Sequence, residues 1–149
     1  SLNRLNAQSM WLMDLWAEIK LVEGEIMLNP FEQYKTTSIN TMTKGELLVL
    51  LFDEAIKKLN RSKILMEHQD FENAKINLDK TRSIFNYLTV TLDQNYQMSK
   101  DLSEMYMFFN REIIKASSYK SSKYIEEILP LVKDLRNTWL EADKIARKK

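Results

Sequence analysis

The stretch Ile125–Ala146, IEEILPLVKDLRNTWLEADKIA, decides the fold. Ile125, Ile128, Val132, Leu135, Trp139, Ala142 and Ala146 recur in it at alternating steps of three and four, the spacing that puts side chains on one face of an α-helix. No member of this seam is polar. Pro130 lies inside it. A proline there removes one backbone donor and crowds the carbonyl of Glu126, yet the seam continues in phase beyond it, which predicts a kink instead of a helix end.

Three earlier stretches repeat the pattern. Leu48, Phe52, Ala55, Leu59 and Met66 form a seam broken only by Ser62, and Thr43 and Glu46 just before it have the spacing of a capping box. A helix is expected from near Lys44 to near Met66. Phe71, Ala74, Leu78, Phe85, Leu88 and Leu92 form the next seam, broken by Thr81, with Asp70 as its N-cap and an expected end at about Tyr96. Leu102, Tyr106, Phe109, Ile113 and Ala116 form the third, capped by Ser99 or Asp101 and fraying at Ser117 and Ser118, the shortest of the four. The connections near residues 67–70, 97–100 and 117–122 are short, and short connections force consecutive helices to be antiparallel neighbours. The expected fold is all-α, an antiparallel up-down-up-down four-helix bundle. A helix of ~25 residues is ~37 Å long, so the second and fourth are expected to wall an extended surface groove.

Composition agrees. The chain has 149 residues but only 2 Gly and 2 Pro, so tight turns are few and elements long. Lys and Arg number 22 against 21 Asp and Glu, a balance that offers no excess charge to phosphate and makes nucleic acid an unexpected partner. The absence of Cys removes disulfides, thiolate nucleophiles and zinc–thiolate sites and fits a reducing compartment, the cytosol. The longest uncharged apolar run, Leu47–Phe52, falls far short of the ~20 residues of a membrane span.

Catalytic constellations are poor. His68 is the single histidine and falls between the first two helices, so a di-iron bundle, which needs two Glu-x-x-His pairs, is out of reach. Glu126 and Glu127 are adjacent and face different directions on a helix. No Gly-rich phosphate loop exists, and the basic end Lys144, Arg147, Lys148 and Lys149 suits a helix C-terminus. Neither enzyme activity, metal nor cofactor is expected.

The seams leave apolar residues over. The first half of helix 1 is apolar nearly all round, with Leu47, Val49, Leu50, Leu51 and Ile56 beside its seam, so something must cover it. The later helices carry Ile84, Tyr87, Val90, Met105, Met107, Phe108, Leu129, Leu131 and Leu140 off the central seam. Singly these read as wide core stripes or scattered surface. As a set, rich in Met and aromatic side chains, they suit a groove that accepts another helix.

From residue 29 onward the sequence resembles the flagellar secretion chaperone family FliS. The resemblance is carried by NPFEQYKTTSINTMTKGELLVLLFDEAIKKL over residues 29–59, by SEMYMFFNR from Ser103 to Arg111, by TLD at Thr91–Asp93, and by Thr138–Trp139. It implies a cytoplasmic four-helix chaperone that binds the C-terminal segment of flagellin in an apolar groove, prevents premature polymerisation and delivers the subunit to the flagellar export apparatus. Ile84, Tyr87, Met105, Met107, Phe108, Leu129 and Leu131 become the expected flagellin-binding residues. Phe31 and Tyr34, followed by the polar run Lys35–Asn40, match the segment that in the family folds over the bundle as a movable cover. A regulatory adaptor, taking an anti-sigma factor or another flagellar assembly protein in the same groove, is the alternative. Lys44 stands where many members have Pro, Glu54 where many have a small residue, Met107 for Asp, Glu112 for Arg and Pro130 for Gly; the exchanges at 107 and 112 alter the polar rim of the groove.

Three segments are therefore expected: an apolar extension over 1–26, a cover over 27–42 and the bundle over 43–149. The extension, with Leu5, Leu12, Leu15, Trp16, Ile19 and Val22 on one helical face, has no counterpart in the family pattern. The extension is expected to form an extra N-terminal helix; because Glu23–Met27 can be encoded by a purine-rich ribosome-binding site followed by a start codon, Met27 is the expected native start, with a genuine extra helix as the alternative. Docked in the groove of its own chain or a neighbour's, the extension would mimic flagellin and give a dimer in the second case.

Overall fold

A computed structural model of the chain describes residues 44–92, 95 and 98–147. Its regular elements are α1 (Lys44–Glu67), α2 (Phe71–Val90), α3 (Ser99–Tyr119) and α4 (Lys123–Arg147), and the described residues form an all-α helical bundle. The chain divides between Leu47 and Leu48, one turn into α1, and the packing below is that of Leu48–Lys149. The extension, the cover and the Thr43 half of the capping box lie outside the described residues.

The four seams meet. Phe52, Leu59, Leu78, Phe85, Leu88, Tyr106, Phe109, Ile113, Ile125, Ile128 and Val132 are all fully or almost fully buried, each large side chain contributing ~1.5–3 kcal/mol. Aromatic rings join three helices: Phe52 lies 6.3 Å and Phe85 6.1 Å from Tyr106, and Phe85 lies 5.1 Å from Phe109. The two polar interruptions of the seams are buried with them. Ser62 Oγ donates to the Lys58 carbonyl at 2.8 Å and Thr81 Oγ1 to the Asn77 carbonyl at 2.8 Å, so each hydroxyl is satisfied by its own helix and costs the core little.

Helix directions follow from the cross-helix pairs. Arg136 Nε bonds Asp53 Oδ1 at 2.8 Å and Lys63 Nζ lies 3.6 Å from Glu126 Oε1. Ten residues forward on α1 thus match ten residues back on α4, and the two are antiparallel. Phe71 at the start of α2 sits under Lys120 Nζ, 5.5 Å from the ring centroid, while Phe85 meets Phe109. So α2 and α3 are antiparallel too, and the α1–α2 and α3–α4 turns lie at one end.

Both of those turns end a helix without glycine. Gln69 and Lys120 take φ of 61° and 53°, and the next residues, Asp70 and Ser121, donate from their backbone N–H to Leu65 and Ala116 carbonyls five positions back. This is the Schellman geometry. Asp70 then caps α2 as expected, accepting from the Asn73 N–H at 3.3 Å.

Three boundaries differ from the sequence reading. α2 stops at Val90 instead of about Tyr96. Its last turn carries Thr89, Val90 and Thr91, whose β-branched side chains lose rotamer freedom in a helix. Thr91 Oγ1 bonds the Tyr87 carbonyl at 2.9 Å, and the Leu92 N–H donates to the Thr89 carbonyl three residues back. α3 starts at Ser99 with Met98 at the N-cap and no side-chain cap bond, so neither Ser99 nor Asp101 caps it. It continues through Ser117 and Ser118 to Tyr119, which makes α2, at 20 residues, the shortest helix. α4 runs through Pro130, as its unbroken seam requires.

Candidate functional site

Tyr119 of α3 and Tyr124 of α4 face each other across the turn, 5.7 Å between ring centroids. That contact identifies the flank of α3 that borders α4. One heptad back from Tyr119 stands Glu112, then Met105, then Met98; one heptad on from Tyr124 stands Leu131, then Thr138, then Ile145. Seven residues make nearly two helical turns, so each set keeps to one line along its helix. α3 and α4 are joined by a three-residue turn and run antiparallel, so the two lines run side by side away from the Tyr119–Tyr124 contact.

Met98, Met105, Tyr119, Leu131 and Ile145 are 38–66% exposed, and they are five of the ten most exposed large apolar side chains among the described residues. Half of that surface therefore falls on one strip along the α3–α4 seam. Phe108, half-buried, lies beside it, one turn from both Met105 and Glu112. Of the residues on the two heptad lines Glu112 alone is charged, while exposed Asp101, Glu127, Asp134 and Glu141 each lie one turn from two of them. Glu112 is 7% exposed and is paired with half-exposed Lys115 Nζ at 3.1 Å.

The strip brings together Met105, Phe108 and Leu131 of the residues expected to bind. Met107 stands apart: residues two apart on a helix point in nearly opposite directions. Met107 is 52% exposed on the face of α3 turned away from the core, one turn from Asn110, whose Nδ2 donates to Asn86 Oδ1 of α2 at 2.8 Å. Ile84 is fully buried and Leu129 almost so, and both belong to the core. Tyr87 is half-buried, and burial pushes its hydroxyl pKa up. Phe31 and Tyr34 lie outside the described residues. Met98, Tyr119, Tyr124 and Ile145 were not among the expected residues; the signal that finds them is the period of seven on the off-seam flank.

Beneath the strip, Tyr106 is 1% exposed. Burial pushes its pKa up to about 12, offset in part by the nearby Trp139 indole. That indole N–H is itself buried and meets no acceptor in full hydrogen-bond geometry. Among the described residues no group of His, Asp or Glu is arranged to hold a metal ion, and no helix is long and apolar enough to cross a membrane. The arrangement is an exposed apolar track flanked by carboxylates.

Comparison with known proteins gives the same direction. The family model described as Flagellar protein FliS matches residues 27–146. The chain is 30% identical over 120 residues to the flagellar secretion chaperone FliS of Bacillus subtilis, covering 80% of this chain and 90% of that protein. It is 26% identical over 106 residues to the Salmonella typhimurium protein of the same name, covering 69% and 78%, and 22% identical over 109 residues to that of Escherichia coli, covering 71% and 80%. The chain belongs to the FliS family, a family of flagellar secretion chaperones and not of enzymes.

Proposed function

We propose that this chain is a cytoplasmic export chaperone that holds the C-terminal segment of flagellin as an amphipathic helix along the α3–α4 strip, prevents its premature polymerisation and delivers it for flagellar secretion. The observation that carries the reading is the heptad-spaced, exposed line of Met98, Met105 and Tyr119 facing Leu131 and Ile145. A ligand helix with apolar residues at the matching period buries all of them at once, the helix-in-groove mode of recognition. Phe31 and Tyr34 fall inside the range matched by the family.

Calorimetry with a flagellin C-terminal segment tests the function. Binding is expected with a gain of helical circular dichroism and a negative heat-capacity change. Leu131→Glu, which buries an uncompensated carboxylate against the ligand, should weaken binding roughly tenfold or more. Ile64→Glu, at an exposed position of α1, should leave it unchanged. No binding by the unaltered protein rejects the function, and indifference to Leu131→Glu rejects the strip.

A further inference from the structure

We propose that Met98 and Met105 form an oxidation site that switches the strip: hydrogen peroxide converts their thioethers to sulfoxides, and the oxidised strip releases its partner helix. The inference rests on the strip being the binding surface. Of the eight methionines of the chain, four fall among the described residues, and they stand in three different situations. Met66 is 6% exposed and belongs to the core. Met107 is exposed but stands off the strip. Met98 and Met105 are 65% and 38% exposed and hold consecutive positions of the α3 heptad line. The two oxidisable side chains thus lie one heptad, roughly 10 Å, apart on the face that a ligand helix covers.

Neither position needs sulfur for the fold. Met98 is the N-cap of α3, where it makes no side-chain bond, and Met105 lies off the central seam. The neighbouring α4 line uses Leu131 and Ile145 for the same apolar contact. What methionine adds over these is an adaptable thioether with a reactive lone pair. In the reaction the thioether sulfur attacks one oxygen of hydrogen peroxide. The O–O bond breaks, an S–O bond forms, and the departing hydroxide takes up the proton of the transferred oxygen and leaves as water. Sulfur loses two electrons and the peroxide gains them. The sulfoxide is polar, and its oxygen accepts hydrogen bonds from water. In the free protein the exposed oxygen keeps that water, so the bundle stays folded. Beneath a docked apolar helix it loses the water and meets no donor, which penalises the complex alone. Methionine sulfoxide reductases reduce the two sulfoxide epimers, so the change is reversible.

The experiment treats the full-length chain with hydrogen peroxide, removes the oxidant, maps the product by mass spectrometry and titrates it calorimetrically with a flagellin C-terminal segment. Met98, Met105 and Met107 are expected to gain one oxygen each well before Met66. Affinity is expected to fall roughly tenfold or more while the circular dichroism spectrum is unchanged. The other four methionines lie outside the described residues and also react, so variants assign the effect. Met98→Leu combined with Met105→Leu should bind before treatment and keep its affinity after it, whereas Met107→Leu should lose affinity as the unaltered chain does. Incubation with both methionine sulfoxide reductases should restore binding to the oxidised unaltered chain. Met98 and Met105 left unoxidised, affinity unchanged by their oxidation, or a loss that persists in the double variant overturns the switch and leaves the chaperone function standing. No binding before oxidation rejects the function, and the switch with it.

Discussion

Tyr106 shows how one side chain ties the core to pH. Its phenol is almost fully buried among Phe52, Phe85 and Trp139, and burial lifts its pKa from 10.0 to about 12. The folded state therefore holds the proton more tightly than the unfolded chain. The contribution is fully present below pH 10 and is lost as pH rises from 10 towards 12, by at most about 3 kcal/mol. Urea unfolding followed from pH 8 to 11.5 should show stability falling above pH 10, and Tyr106→Phe should flatten that fall. The raised pKa of Tyr87 acts in the same direction and leaves a residual slope. A fall unchanged in Tyr106→Phe would remove Tyr106 as its source. Not every residue-scale feature was legible beforehand. Asp70 was readable as a cap from its type and place. Gln69 and Lys120 in left-handed conformation were not, because the glycines that usually announce such positions, Gly24 and Gly45, stand elsewhere.

At the scale of the element, α3 is terminated well and started badly. Its C-terminus closes through left-handed Lys120, with the Lys120 and Ser121 N–H groups both donating to the Ala116 carbonyl, but its N-cap is Met98, which makes no side-chain bond and exposes its thioether chain. Ser, Thr, Asp or Asn at an N-cap is better than an apolar residue by ~0.5–2 kcal/mol. On the proposed binding surface a methionine there is the outermost apolar residue of the α3 line. Met98→Ser is accordingly expected to raise stability by about 1 kcal/mol in urea unfolding while weakening the flagellin segment roughly threefold to tenfold in calorimetry. A stability gain with unchanged affinity would place the end of the strip inside Met105. The misread end of α2 belongs to the same scale. Leu92 is in phase with the seam, so periodicity alone carries the helix past it. The Thr89–Thr91 run, which supplies its own hydroxyl bonds to the Phe85 and Tyr87 carbonyls, stops the helix earlier.

For the whole molecule, the core and the strip were legible to different degrees for one reason. A central seam is defined by its own period, and Phe52, Phe85, Phe109 and Ile128 declared themselves core without knowledge of any neighbour. Which flank an off-seam residue borders depends on how helices are rotated against each other, and no single-helix pattern contains that. Met105 and Met107 therefore fall in one off-seam set although they point in nearly opposite directions from α3, and Ile84 and Leu129 fall in it although the core holds them. The same geometry determines what a bound ligand protects. A helix lying along Met98–Tyr119 and Tyr124–Ile145 adds a third partner to the α3–α4 pair and slows the openings that expose their amides, while α1 pairs with the other side of α4 through Asp53 and Lys63. Amide hydrogen exchange with flagellin segment at one hundred times its Kd should show slower exchange over residues 99–119 and 123–147. The accompanying global stabilisation is ~2.7 kcal/mol, and after correction for it residues 48–67 should show no further protection. Extra protection concentrated in α1 would move the binding surface off the α3–α4 strip.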